Sequence, residues 1–85
     1  YSGITPNSDG INDSWIIENV EVYASNQVAI YNRLGNLVWE ADNYDNVNTV
    51  WDGDNLSGGD LPPDTYFYIF QSDEGVEKGW IELTR

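Results

Sequence analysis

The chain has 85 residues, 15 of them acidic and only three basic, so its formal net charge at neutral pH is -12. Such a charge repels nucleic-acid phosphates and anionic lipid headgroups, and no apolar run approaches the about 20 residues that cross a bilayer, so neither nucleic-acid binding nor membrane insertion is expected. Without cysteine there is neither a disulfide framework nor a thiolate zinc site. Four Trp, six Tyr and two Phe must therefore build the core of one small domain, residues 1–85.

The first feature in chain order is the turn-rich stretch TPNSDGINDSW, residues 5–15. Its acidic and amide residues align in part with a calcium-binding EF-hand loop, which predicts a calcium site at Asn7, Asp9 and Asp13. The two strongest ligand positions of such a loop hold a Thr and an Ile here. In the alternative interpretation, these side chains bond neighbouring amides in Asx turns, Gly10 takes a positive φ, and no cofactor is required.

Beyond this stretch, apolar and polar residues alternate in short segments separated by Gly, Asn, Asp and Pro. This period is typical of half-buried strands and predicts an all-β fold, a small immunoglobulin-like antiparallel β-sandwich of about six to seven strands. Strands are expected at residues 15–17, 20–23, 28–32, 37–40, 65–72 and 77–84. TYFYIFQS, apolar on both faces, predicts a central strand covered on both sides.

Turn residues indicate how these strands connect. Gly35 and Asn36 in NRLGNLVW, and Gly75 in SDEGVE, tolerate the positive φ of tight reversals and favour antiparallel hairpins. Residues 40–64 are rich in turn formers and are expected to form a long crossover that joins two sheets. Within it, WDGDNLSGGD offers either a second acidic cation loop or a turn next to a core residue, Trp51.

An enzyme is not expected. The chain has no His and no Cys, so it lacks a base that titrates near neutral pH and a thiol nucleophile. Its serines lie outside the nucleophile-elbow pattern, and neighbouring carboxylates occur by chance in so acidic a chain. A calcium-dependent adhesin or carbohydrate-binding module remains an alternative, with aromatic side chains that either stack on a sugar or fill the core. Those side chains are Tyr23, Tyr31, Trp39, Tyr44, Trp51 and Trp80.

The order of the motifs is more specific than any one of them. TPNSDGINDSW, AIYNRLGNLVWEADNY, WDG, GGDLPPDTYFYIF and the terminal KGWIELTR follow one another along nearly the whole chain. Together they resemble the gliding motility-associated C-terminal domain of Bacteroidota, the type B sorting domain of the type IX secretion system. The first stretch matches that family's entry motif at Thr5, Pro6, Asn7, Asp9, Gly10, Asn12 and Asp13.

The resemblance implies a non-catalytic, immunoglobulin-like domain at the C-terminus of a large exported protein, with the cargo domains upstream in the same chain. It implies transit through the periplasm to the cell surface or the medium, and recognition by the type IX translocon with a PorP/SprF-like outer-membrane protein. Two positions depart from the family motifs. Leu34 replaces the Trp of Asn-Arg-Trp-Gly, and Asp64 stands where Gly often precedes Thr-Tyr, so a left-handed φ is expected at Asp64.

Recognition by a partner is assigned to the motif loops and the last strand, which is also expected to add to a partner's sheet edge. The candidate residues are Asn7, Asp9, Gly10, Asn12, Asp13, Asn32, Arg33, Gly35, Lys78 and Arg85. A sorting domain of this kind is expected to bury its aromatic rings, whereas a ligand-binding module is expected to expose a row of them.

Overall fold

A computed structural model describes residues 2–4, 14–17, 20, 23 and 25–84. Within this part of the chain, five strands form one mixed sheet in the order β1-β5-β4-β2-β3. The strands are β1 (Ser2–Ile4), β2 (Asn26–Tyr31), β3 (Leu37–Asp42), β4 (Asp64–Ser72) and β5 (Gly75–Leu83). None of the described residues belongs to a helix long and apolar enough to span a membrane.

Both hairpins predicted from turn residues are confirmed. β2 and β3 pair antiparallel around a reversal in which Gly35 has a φ of 86°. β4 and β5 pair antiparallel up to Ser72 and Gly75, and Gly75 has a φ of 134°. Glycine adopts such angles without the strain that a side chain would cause, which is why it occupies these two reversals. The predicted central strand is confirmed too, because β4 lies between β5 and β2.

Strand β1 is the element that the sequence did not predict. It pairs with β5 in parallel, Ser2 opposite Ile81 and Ile4 opposite Leu83. The sheet is therefore mixed, and the prediction of a purely antiparallel arrangement is wrong at this edge. Three residues are too few to show an alternating period, and parallel pairing leaves no turn signature in the sequence.

The two strands predicted near the start of the chain have different outcomes. At residues 15–17 there is no strand: Trp15 forms a single bridge with Trp51. Next to it, the Asn46 side chain makes the two hydrogen bonds that a neighbouring strand would make with Ile17. Asn46 Oδ1 accepts a hydrogen bond from the Ile17 amide, and Asn46 Nδ2 donates one to the Ile17 carbonyl, each at 2.8 Å. The strand predicted at 20–23 lies mostly outside the described residues.

The core occupies one face of the sheet. Alternate residues of β2, β4 and β5 point into it, and the crossover from β3 to β4, residues 43–63, covers them. The buried apolar side chains are Ile4, Trp15, Val20, Val28, Ile30, Tyr44, Trp51, Leu61, Tyr66, Phe70, Ile81 and Leu83. Trp51 is completely buried, which agrees with its predicted role beside a turn. Among the described residues, the crossover contributes loops and isolated bridges to this layer and no second sheet.

Gly79 of β5 is required by this packing. It lies opposite Tyr68, and a Cβ at Gly79 would approach the Tyr68 hydroxyl oxygen to 2.6 Å. The Tyr68 ring therefore crosses over the glycine and packs on the Trp15 ring, with a centroid distance of 4.7 Å. The glycine of the KGW motif thus makes room on the core face, and Lys78 and Trp80 lie on the opposite face of β5.

A buried tyrosine hydroxyl connects the loop segments above the sheet. The Tyr44 hydroxyl donates to the Trp15 carbonyl and accepts the Trp51 amide at 2.8 Å, while Trp15 and Trp51 also bond each other directly at 2.8 Å. The Asn26 side chain accepts the Tyr44 amide at 2.8 Å and so anchors this network to β2. Burial raises the pKa of the Tyr44 hydroxyl well above its ordinary value, so it stays protonated and able to donate.

Tyr44→Phe is expected to lower the free energy of unfolding by about 1–3 kcal/mol, because the ring remains while two buried backbone groups lose their partner. Equilibrium urea denaturation measures the change. Tyr31→Phe is the matched control, since Tyr31 lies on the opposite face, and it is expected to change stability by less than about 0.5 kcal/mol. Equal losses in the two variants would contradict the role of the Tyr44 hydroxyl.

Candidate functional site

The face of the sheet opposite the core carries a row of three aromatic rings. Tyr31 of β2 lies directly opposite Phe67 of β4, and Phe67 lies directly opposite Trp80 of β5. Because strands in a sheet are about 4.8 Å apart, three such neighbours form a continuous surface. We call Tyr31, Phe67 and Trp80 the outer aromatic row.

The exposure of this row contradicts two predictions from the sequence: that β4 is covered on both faces, and that a sorting domain buries its aromatic rings. Phe67 is 43% exposed and Trp80 is 45% exposed, so β4 is covered on one face and not on both, and the rings are not all buried. The other aromatic candidates serve the core: Tyr44 and Trp51 are buried, and Tyr23 and Trp39 pack against its edge. An exposed row was expected of a ligand-binding module, so ring burial alone does not separate the two candidate functions.

Asn32 builds the turn between β2 and β3. Its Oδ1 accepts the amides of Leu34 and Asn36, each at 3.0 Å, and its backbone amide donates to the Asn36 carbonyl. Leu34, at the tip, is 85% exposed. Asn32 thus has a structural role, and the turn presents Leu34 at the position where the resembled motif has Trp.

The turn and the outer aromatic row line one groove. Among the predicted recognition residues, Asn32, Arg33, Gly35 and Lys78 all contribute to it. Their convergence follows from strand register, because Lys78 pairs with β4 next to the row while Arg33 follows Tyr31 at the end of β2. Phe67, which sequence analysis did not assign to recognition, and Trp80 of the last strand also line this groove.

Asp64 has a different role from the one expected. It begins β4 in an extended conformation, and the positive φ angles of described non-glycine residues are at Asn43 and Asn46, so the expected left-handed φ is wrong. The Asp64 carboxylate accepts the Thr65 amide at 2.8 Å and lies 3.5 Å from the Arg33 guanidinium. It is therefore a counter-ion at the rim of the groove.

The remaining recognition candidates are not placed. Asn7, Asp9, Gly10, Asn12, Asp13 and Arg85 lie outside the described residues, and the calcium site predicted at Asn7, Asp9 and Asp13 lies there with them. In the part of the chain that the structure describes, no three acidic side chains come close enough to hold a metal ion.

The acidic crossover forms turns rather than a ligand shell. Asn55 Oδ1 accepts the amides of Ser57 and Gly59 at 2.9 and 3.0 Å. Asp45 Oδ1 accepts three successive amides, 47–49, at 2.8–2.9 Å, and these bonds, the one from Thr49 first, lower the pKa of the Asp45 carboxyl. These are Asx-type turns, the kind that the sequence predicted for the stretch at residues 5–15, which lies outside the described residues.

The comparison with known families points to one family. A family model described as the CHU_C type IX secretion signal domain matches residues 1–83, nearly the whole chain. A search of curated proteins found no match.

Asn32→Ala is expected to lower the free energy of unfolding by about 1 kcal/mol, because two turn amides lose their acceptor. Urea denaturation measures the loss. Leu34→Ala, at the exposed tip of the same turn, is the control and is expected to leave stability unchanged. If both substitutions cost the same, the turn does not depend on the Asn32 side chain.

A second prediction concerns Asp54 in the crossover. Burial, then the hydrogen bond with Asp52 and its negative charge, raise the pKa of the Asp54 carboxyl to about 6. Because this exceeds the ordinary value of 3.8, the folded state holds the proton more tightly, and the resulting stabilisation is complete below pH 3.8 and lost as the pH rises through about 6.

Asp54→Asn removes this titration. From pH 4 to pH 7, the stability of the variant relative to the wild type is expected to rise by about 1 kcal/mol, discounted for solvent screening. Urea denaturation at each pH gives the difference. Asp73→Asn, in the exposed β4–β5 turn, controls for the loss of one negative charge, and an equal rise in that variant would refute a specific role of Asp54.

Proposed function

The chain belongs to the family of type IX secretion signal domains, and from this premise we propose that the β2–β3 turn and the groove beside it form the surface that the secretion system recognises. The domain acts as a sorting signal: the protein that carries it is exported to the cell surface or the medium and interacts with the secretion system. The proposal concerns which residues of the domain that interaction uses.

One observation carries this assignment. Asn32, Arg33, Gly35 and Lys78, which the motif order alone assigned to recognition, line a single groove in the folded chain. The groove is built on β-strands, and the turn is fixed by the two hydrogen bonds to Asn32. A recognition surface held by strands and by a braced turn keeps one shape, as a signal recognised in the folded state requires.

We further propose that the domain is an immunoglobulin-like sandwich. The order β5-β4-β2-β3 corresponds to strands G, F, C and C′ of the variable-type sheet. Near the start of β4, which corresponds to strand F, the Tyr66 hydroxyl donates to the Pro62 carbonyl at 2.7 Å, the bond that defines a tyrosine corner. The strand order and this hydrogen bond both support an immunoglobulin-like fold.

The remaining parts of the proposal follow from family membership and from composition. The recognising partner is the translocon with a PorP/SprF-like outer-membrane protein, the cargo precedes the domain in the same chain, and export passes through the periplasm. The domain is proposed to be non-catalytic, which its lack of His and Cys supports, and to need no calcium. The family match gives no support to the calcium-dependent adhesin alternative.

Secretion of a reporter fused to the domain tests the assignment. In cells with a type IX secretion system, the fusion is expected in the medium and the unfused reporter inside the cell. Arg33→Ala is expected to lower the secreted fraction by about tenfold, the effect of losing one anchoring contact of about 1.4 kcal/mol. Immunoblots of medium and cells give the fraction.

Asp73→Ala is the matched control, because it removes one charge from the turn at the opposite end of the sheet. Deleting the end of β5 would be a poor test, since Ile81 and Leu83 belong to the core and their loss disturbs folding. Normal secretion of Arg33→Ala would contradict the assignment to this groove. Normal secretion after removal of the whole domain would contradict the sorting role itself.

A further inference from the structure

The outer aromatic row is an apolar surface that the sheet leaves open to water. Phe67 and Trp80 are each nearly half exposed although they lie in the middle of the sheet. Ile69, two residues beyond Phe67, continues the apolar surface toward Lys78, its neighbour on β5. Contiguous exposed apolar surface on a small domain is typical of a site that another molecule covers.

Positive charge is concentrated beside this row. The chain has three basic residues against 15 acidic ones, and two of the three, Arg33 and Lys78, line the groove. The ion pair of Arg33 with Asp64 is 3.5 Å long, with side chains 68% and 39% exposed. An exposed pair of this kind contributes little, so Arg33 is available to a stronger partner.

The two cationic side chains beside the row act only as hydrogen-bond donors, and the nearby acceptors are already engaged within the domain. Arg and Lys side chains have no acceptor atom. Asn32 Oδ1 already accepts two backbone amides, and the carboxylate of Glu82, in the adjacent row, accepts the Thr65 hydroxyl at 2.6 Å. A ligand that suits these groups supplies its own acceptors, and a carboxylate gives the strongest bonds with guanidinium and ammonium groups.

The same chemistry argues against two other occupants. A sugar has hydroxyls that need acceptors as well as donors, and the rim acceptors Asn32 Oδ1 and Asp64 Oδ1 already accept backbone amides. A second copy of the domain would bring another formal charge of -12 to a molecule that already carries it, so like-charge repulsion opposes self-association.

We propose that the outer aromatic row, with Arg33 and Lys78 at its margin, docks an apolar protein segment that carries a carboxylate side chain. The inference rests on the proposed function, since the segment belongs to a component of the secretion system. Aromatic rings at the centre exclude water and supply most of the affinity, while the cations fix the orientation of the segment.

Site-specific photo-crosslinking during export tests the partner's chemistry. Phe67→p-benzoyl-phenylalanine keeps an aromatic side chain in the row, and Val47→p-benzoyl-phenylalanine, at a position 76% exposed on the crossover, is the control. The first variant is expected to link to an apolar peptide that contains Asp or Glu, and the second is not. Adding Lys78→Glu is expected to reduce the crosslink about tenfold, and Lys78→Arg to preserve it.

Four outcomes would overturn the proposal: a crosslink to a glycan, a crosslink to a second copy of the domain, a yield unaffected by Lys78→Glu, or no crosslink from Phe67 in a protein that is folded and secreted. Circular dichroism establishes folding of each variant beforehand.

A secretion assay separates this inference from the sorting role. The double variant Phe67→Thr and Trp80→Thr places β-branched residues, which favour strands, at both positions and is expected to fold, but to be secreted about tenfold less. Val47→Thr with Leu56→Thr, which removes two exposed apolar side chains elsewhere, is expected to be secreted normally. If deletion of the domain stops secretion while the Phe67/Trp80 variant is secreted normally, the docking inference fails and the sorting role stands.

Discussion

The Tyr44 hydroxyl links by hydrogen bonds two loop segments, one at Trp15 and one at Trp51, that belong to none of the five described strands. Trp15 and Trp51 meet at a single bridge, and the Tyr44 hydroxyl bonds both the Trp15 carbonyl and the Trp51 amide. The backbone amide of Tyr44 in turn donates to the Asn26 side chain. A small chain without disulfides must close its core with large side chains. Here one such side chain both fills volume and satisfies buried backbone groups, so packing and hydrogen bonding depend on the same residue.

Because the crossover covers the core on one side of the sheet, one face of the sheet is buried and the other is exposed. The crossover from β3 to β4 covers one face with Tyr44, Trp51 and Leu61. The other face is free to display Phe67 and Trp80 without loss of core volume. Because side chains alternate along a strand, each residue of β4 and β5 that anchors the core also fixes the position of an outward neighbour. The packing behind the sheet thus also fixes the shape of the proposed recognition surface.

Local features of the fold were predictable from the sequence, and non-local ones were not. Gly35 and Gly75 take a positive φ at the two reversals as expected, since tolerance of a positive φ is a property of the residue itself. The parallel strand β1 left no local trace. The β-branched and aromatic residues of β4 identified a strand, but which of its faces stays exposed depends on what the distant crossover covers. Likewise, Arg33 and Lys78 were each proposed from motifs, whereas their meeting in one groove depends on the register of three strands.

The parallel pairing of β1 with β5 has a mechanical consequence. Ser2 lies beside Ile81 and Ile4 beside Leu83, so the two strands at the chain ends run in the same direction. A force that draws the ends apart therefore acts along the strands and loads their hydrogen bonds simultaneously, in shear, instead of peeling them one by one. Resistance to such traction is set by the rate of forced unfolding rather than by equilibrium stability. The β1–β5 pair is consequently suited to resist a force applied along these two strands.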